Sequence, residues 1–397
     1  MRTVFALSLF LVVLAALSPA DTFTHRSGQP VYHGYATQTV IEGRTLVQTE
    51  QEGPIELNLA EFSVTPNAKG RNNTIAVISL KEVIQYELTT AAFEKAIVEE
   101  SNKGPLLILI EIDGPGGRTD YAERMCAAIL GTRNCRTVAF VSGGGYGGAY
   151  SAAAAVALAC DAIYMAPGTS IGAATQYVRA SSGKMMDMKE AYGDTLGEKF
   201  QSVWRNYLAS LAQRNNRSGL MAKAMVDKDI EVLEVVRGDK TLFIEANDRL
   251  PGDQFVRVRC KAGEVLTLPA AEAATGTIAD GVAASRDELL DRLGYADAAL
   301  VFNTDIPAAN EELNRVIDRF NRLNAAVDLK YKEIDAKIKA KSLTRSAAIR
   351  DIQDLVRNAD YLFRLKQNYP DVPASEAKLQ EFVTNVKALE LAIRAIR

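Results

Sequence analysis

From Thr74 onward the chain carries near-continuous apolar runs at residues 75–80, 106–112 and 137–141, separated by stretches of helical periodicity at 90–101 and 119–130. A run that is apolar at every position, not at every second one, has to be covered on both faces, which is the condition of a parallel sheet with helices above and below it. The alternation therefore predicts an α/β domain. It continues through a helix at about 151–160, a strand at 162–166, a longer helix at 196–215 and a closing segment at 276–282 with a helix at 287–293.

The flanks differ in character. Residues 1–20 hold Arg2, an apolar run at 4–17 and the small-x-small sequence Ser18-Pro19-Ala20, the pattern of a bacterial-type secretory signal cleaved before Asp21, with an uncleaved N-terminal membrane anchor as the alternative. Export to the periplasm or beyond follows as the expectation. Residues 21–73 alternate short β-type runs with Gly and Pro and predict a small β-rich module. Residues 74–304 are the α/β domain. Beyond it, 305–397 is charged and helical: Leu313, Ile317, Phe320, Leu323, Val327, Tyr331, Ile334 and Ile338 recur at spacings of three and four, as do Leu379, Phe382, Val386, Leu389, Ile393 and Ile396. Pro370 and Pro373 interrupt the pattern and Ser375 is a candidate cap, which predicts a helical hairpin or coiled coil, either as plain hairpin core or as a self-assembly surface.

Composition narrows the chemistry. With 46 Lys and Arg against 49 Asp and Glu there is no basic footprint for nucleic acid. The four cysteines, Cys126, Cys135, Cys160 and Cys260, lack metal-ligand spacing, and only Cys126 with Cys135 is a candidate disulfide. His25 and His33 are the only histidines and precede the α/β domain, so a histidine-based triad is hard to build and no metal or cofactor is expected.

Two glycine turns follow apolar strands. Asp113-Gly114-Pro115-Gly116-Gly117 lies between a strand and a helix, where unobstructed backbone N–H groups suit an oxyanion or a phosphate. The second, Gly143-Gly144-Gly145-Tyr146-Gly147-Gly148-Ala149-Tyr150, ends at Ser151, which opens a run of four alanines. Ser151 reads either as a nucleophile on a strand-to-helix elbow or as a simple helix N-cap. A serine without histidine needs a lysine whose pKa is lowered by burial. Lys199 stands beside the apolar face Phe200, Val203, Trp204, Tyr207, Leu208 and Leu211, whereas Lys184 and Lys189 fall in a segment that reads as a polar loop.

These residues carry a resemblance. The Asp113–Gly117 motif, Ser151 ten residues before Asp161, the run Ala162-Ile163-Tyr164-Met165-Ala166-Pro167-Gly168-Thr169-Ser170-Ile171-Gly172-Ala173, and Lys199 heading a helix with Ser210-Leu211-Ala212-Gln213 resemble the peptidase domain of NfeD-type ClpP-class serine proteases. More distantly the sequence is similar to signal peptide peptidase A and the ClpP/crotonase fold. The resemblance covers about residues 74–300 and implies a β-β-α spiral domain with a Ser-Lys dyad. In that dyad Ser151 is the nucleophile and Lys199 the general base, with the N–H groups of Gly116, Gly117 and Ala152 as oxyanion hole. It also implies self-association and cleavage of extended apolar segments of envelope or membrane proteins, held between strand 75–80 and the glycine loop by added β-pairing. A competing alignment places Ser142 as the nucleophile. Ala152–Ala155 replaces the family's usual glycine-containing sequence after the serine, and a helical extension replaces its membrane spans and β-barrel. That leaves two further readings open, a catalytically inactive peptide-binding or scaffolding protein and an acyl-CoA enzyme of crotonase type.

Overall fold

The computed structural model describes residues 21–49, 52–65, 72–132, 135–144, 147–180, 183–296, 298–340 and 345–395. The expected secretory signal, most of the polar loop at 67–73, the loop residues Gly145 and Tyr146 and the stripe position Ile396 lie outside the described residues.

Five strands build the N-terminal module: β1 (Asp21–His25), β2 (Val31–Ile41), β3 (Arg44–Thr49), β4 (Gly53–Leu57) and β5 (Phe62–Thr65), in the antiparallel order β4-β3-β2-β1-β5. Phe23, Val47 and Leu57 form its small core. Both histidines belong to this sheet, in β1 and β2.

The α/β domain follows, with β6 (Asn72–Leu80), α1 (Glu87–Asn102), β7 (Pro105–Ile112), α2 (Thr119–Gly131), β8 (Arg136–Val141), β9 (Gly148–Tyr150), α3 (Ala152–Ala159), β10 (Ala162–Met165) and β11 (Ser170–Gly172). The hairpin β12 (Tyr177–Arg179) and β13 (Met185–Asp187) comes next, then α4 (Met188–Tyr192), α5 (Asp194–Arg214) and α6 (Gly219–Ala224). A meander of β14 (Val232–Arg237), β15 (Lys240–Ile244) and β16 (Gln254–Cys260) precedes β17 (Thr267–Pro269), α7 (Ala270–Thr275), β18 (Gly281–Val282), α8 (Arg286–Arg292) and β19 (Ala299–Phe302).

The main sheet is wholly parallel, in the order β18-β10-β8-β7-β6-β19, and every residue of β7 is buried. Alternate residues face opposite layers, as the two-residue period of a strand requires. Ile78, Ile108, Ile110, Ile112, Ala139 and Val141 pack with α1, α2 and α3, whereas Ile75, Val77, Leu107, Leu109, Val138 and Phe140 pack with Leu289 and Leu290 of α8. A smaller sheet, β17-β11-β9, carries the glycine loop into the helix that begins after Ser151.

Three sequence expectations change. The segment holding Lys184 and Lys189 is a β-hairpin and a short helix, not a polar loop. The extension has three helices instead of two, α9 (Asp305–Lys339), α10 (Arg345–Asn368) and α11 (Glu376–Ala395). The added helix carries the same signal as its neighbours, since its buried residues Ile352, Leu355, Ala359, Leu362 and Leu365 recur at spacings of three and four between charged residues. Five of the six buried residues of α9, Ile306, Leu313, Phe320, Val327 and Ile334, recur every seven residues, and Ser375 accepts a hydrogen bond from Lys378 N–H (3.4 Å) at the start of α11. Finally, all four cysteines are buried thiols, so Cys126 and Cys135 are not bridged. Burial pushes the Cys126 thiol up to about 12, which keeps it protonated.

Among the described residues no helix is long and apolar enough to cross a membrane, and no group of His, Cys, Asp and Glu is placed to hold a metal ion.

The meander is tied by an ion pair: Asp253 accepts Arg237 Nε (2.7 Å), Arg237 Nη2 (2.8 Å) and Leu250 N–H (2.8 Å). The Arg237 bonds come first among the causes that hold the Asp253 carboxyl down at about 2. A carboxyl lowered on folding adds stability above its unfolded pKa of about 4, and that stability is lost as pH falls through the folded value. Asp253→Asn is therefore expected to lower Tm at pH 7, and thermal melts from pH 7 to 2 should show the gap to wild type closing below about pH 4.

Candidate functional site

The Asp113–Gly117 turn leaves β7 against two partners. Asp113 N–H donates to the Leu80 carbonyl (3.1 Å), while its Oδ1 accepts Gly148 N–H (3.1 Å). A Cβ on Gly143 would fall 2.6 Å from this carboxyl group and one on Gly147 2.9 Å from its Oδ1, so the second glycine loop is small because Asp113 fills the space. Gly114 N–H to the Gly148 carbonyl (2.8 Å) and Tyr150 N–H to the Gly114 carbonyl (3.1 Å) then lock the two loops together.

Gly116 and Gly117 have φ of 99° and 152°. On one side the turn is held by Ile84, whose N–H donates to the Gly116 carbonyl (2.8 Å) and whose carbonyl accepts Arg118 N–H (2.7 Å). That bridge uses the groups on either side of Gly117 and turns the Gly117 N–H away from Ile84. On the other side lies Ser151: a Cβ on Gly116 would be 2.5 Å from Ser151 Cβ and 2.9 Å from Ala152 N.

Ser151 is half-buried, with φ 55° and ψ −122°, and makes no side-chain capping bond to α3. The simple N-cap reading is therefore overturned. A capping serine sits in the extended region with its oxygen turned back on the helix, whereas this backbone costs about 1–3 kcal/mol and persists only where its surroundings impose it. Here they do so through Ser151 N–H to the Gly172 carbonyl (2.8 Å) and Ala154 N–H to the Ser151 carbonyl (3.0 Å). Ala152 is the first residue of α3, where a helix leaves its N–H groups without intrahelical partners. Ser142 instead ends β8, its N–H bonded to the Ile112 carbonyl (2.9 Å), and no helix follows it directly.

The alanine run is wholly buried. Ala153 Cβ would be 3.5 Å from a Cβ on Gly114, so small side chains let α3 lie directly on the turn. Its far end is held by Arg217, a residue that sequence reasoning missed. Nη1 donates to the Cys160 carbonyl (3.0 Å), and Nη2 to the Asp161 carbonyl (3.2 Å) and to Asp280 Oδ2 (3.1 Å). An isolated Arg after two asparagines carries no pattern that would have marked it.

Helix α5 is fastened to the same segment as Ser151, through Trp204 Nε1 donating to the Ala174 carbonyl (2.9 Å). Lys199 on this helix is exposed, and no hydrogen bond joins it to Ser151. The expected desolvating face is only partly formed: Trp204, Leu208 and Leu211 are buried, but Leu196, Phe200 and Val203 around Lys199 are 43%, 41% and 63% exposed. A helix face exposes residues on one side whatever their polarity, and none of the described residues covers that side. The other two lysines are worse placed for a base. Lys184 pairs with Glu190 (2.6 Å) and Lys189 with Glu198 (3.2 Å) and Asp229 (3.5 Å), and these carboxylates raise both pKa values and keep both lysines charged. Lys199 has no carboxylate in ion-pair range among the described residues.

The expected free edge of strand 75–80 is closed over only part of its length. The strand pairs with β7 on one side and, over residues 74–77, with β19 on the other, and sequence reading had left β19 unassigned.

A parallel sheet whose strands deliver a glycine turn against a serine elbow defines a ClpP-class α/β domain. More particularly, residues 74–250 match the profile of the NfeD1b N-terminal domain. The chain is 26% identical over 244 residues to membrane protein NfeD1b of Bacillus subtilis, covering 62% of this chain and 46% of that protein. It is 28% identical over 162 residues to the membrane-bound protease PH1510 of Pyrococcus horikoshii, covering 40% and 34% respectively. It thus spans less than half the length of these curated relatives. Among solved structures, a serine-to-alanine mutant of the 1510-N membrane-bound stomatin-specific protease superposes with a TM-score of 0.44 at 22% identity, covering 59% of this chain and 98% of that one.

Gly117 has no room for a side chain, since its Cβ would fall 2.0 Å from the Ile84 carbonyl oxygen. Gly117→Ala is expected to cost about 2 kcal/mol or more in denaturant unfolding, because backbone and not a movable side chain blocks the site.

Proposed function

We propose that this domain is a serine peptidase in which Ser151 is the nucleophile and Lys199 the general base. The observation that carries the reading is the left-handed backbone of Ser151, pressed against Gly116 in a domain without histidine. Neutral Lys199 takes the Ser151 hydroxyl proton as the oxygen attacks the substrate carbonyl. The N–H groups of Gly116, Gly117 and Ala152 receive the oxyanion, which carries its charge only in the tetrahedral state and so is stabilised more than the ground state. Collapse expels the amine, which takes the proton from the lysine, and water activated by the same lysine then hydrolyses the acyl-enzyme. Lys199 loses its water when substrate or a second copy of the chain covers Leu196, Phe200 and Val203, and desolvation favours its neutral form.

The substrates in this reading are extended apolar segments of membrane or envelope proteins, and the chain acts after export as a homo-oligomer. The description of PH1510 as a membrane-bound protease supports that direction. One observation favours a second reading. Lys199 is exposed and not bonded to Ser151, as it would be in a peptide-binding domain that no longer cleaves.

Labelling with a serine-reactive phosphonate separates the two. Wild type is expected to label at a rate that rises from pH 6 to 9, because the base must be neutral, with Ser142→Ala unchanged. Ser151→Ala should abolish labelling and Lys199→Ala should slow it about 100-fold or more. Folded wild type that never labels across this range would leave the peptide-binding reading standing.

A further inference from the structure

We propose that Asp371, in the turn between α10 and α11, is a positioning residue for the Gly116–Gly117 turn, so that the helical extension sets the geometry of the site. The proposal rests on the peptidase reading for its catalytic consequence, but not for the coupling itself.

Helix α1 has no local cap: Tyr86 precedes it and offers no side-chain hydrogen bond. The cap comes from far along the chain. Asp371 Oδ1 accepts Glu87 N–H (2.7 Å) and Oδ2 accepts Leu88 N–H (3.0 Å), so one carboxylate satisfies two of the orphan donors and sits at the positive end of the helix. Ile84, three residues before Glu87, is the residue that grips the turn through both its N–H and its carbonyl. Segment 84–88 is thus pinned at one end to the Gly116–Gly117 turn and at the other to the extension.

A second path closes the loop. Arg124 of α2 bonds Glu87 and Glu94 of α1 (both 2.6 Å at the shortest), and α2 begins at Thr119, directly after the turn. Arg118 is held further in its charged form, first by its hydrogen bond to Asp120, with Asp371 contributing at longer range. Lys95 to Asp305 (2.8 Å) anchors α1 to the start of α9, and Ile306 is buried in the core of the α/β domain. Docking of the extension and the position of the turn are therefore one mechanical unit, and release of Asp371 frees the segment that holds the oxyanion donors.

Amide hydrogen exchange on the full chain tests this without reference to activity. In Asp371→Ala, exchange is expected to rise about tenfold or more at Glu87 and Leu88 and also at Ile84 and Arg118, with the meander at 232–260 unchanged. Asp371→Asn, which keeps one acceptor, should fall between wild type and Ala. A rise confined to 87–88, with Ile84 and Arg118 at wild-type rates, overturns the proposal. Should the Ala variant also lose protection in α10 and α11, the Asn variant decides by the same two amides. With the phosphonate, Asp371→Ala is expected to lower the limiting labelling rate about tenfold while the half-saturating concentration stays constant. If wild type does not label at all, the peptidase reading fails, and the exchange rates at Ile84 and Arg118 still decide the coupling.

Discussion

Everything at the candidate site depends on how closely three backbone segments approach one another. Ile84, the Gly116–Gly117 turn and Ser151 are stacked so tightly that a methyl group on either glycine would meet another backbone or Cβ at 2.0–2.5 Å. Hydrogen bonds on the Ile84 side fix the turn, and the contact with Ser151 fixes where its N–H groups lie relative to the hydroxyl. Such placement, made during folding, is what lets a site stabilise developing charge without reorganising at the moment of reaction.

Holding a serine in a left-handed backbone has to be offset elsewhere, and the surroundings are built to do so. The alanine helix fills its layer with side chains too small to push the turn away, Asp113 ties the glycine loop to the turn, and Arg217 closes the carbonyls at the other end of α3. The buried Arg217 carries its own counter-charge in Asp280, which also accepts Ile163 N–H (2.8 Å) and so joins α3 to the parallel sheet. Arg217 is buried, and the bonds made by its Nη1 and Nη2 offset part of the cost of taking its charge out of water.

Electrostatics, not sequence spacing, separate the three candidate lysines. Carboxylates from α4, α5 and the loop after α6 occupy Lys184 and Lys189, and they leave Lys199 on an apolar, uncovered side of α5. None of these pairings has the three- or four-residue spacing of a helix rule, and even Lys184 and Glu190 are six residues apart. The third tail helix was legible, since Ile352, Leu355, Ala359 and Leu362 recur at spacings of three and four, whereas β16 of the meander exposes its first five residues and so carries no pattern of burial.

The amino-acid sequence by itself determined the parallel sheet, because runs apolar at every position have no other stable burial, and it determined where the two glycine turns and the elbow serine fall. It also excluded histidine chemistry from the domain by composition alone. Tertiary structure decided the rest: that Ser151 is strained and not a cap, that Asp113 serves the glycine loop, that β19 covers the outer edge of residues 74–77, and that Asp371 caps a helix 284 residues away. The physical reason is range. Periodicity and turn chemistry act over a few residues and leave a signature there, while close backbone approach, ion pairing and long-range capping are properties of segments that meet only after the chain has folded.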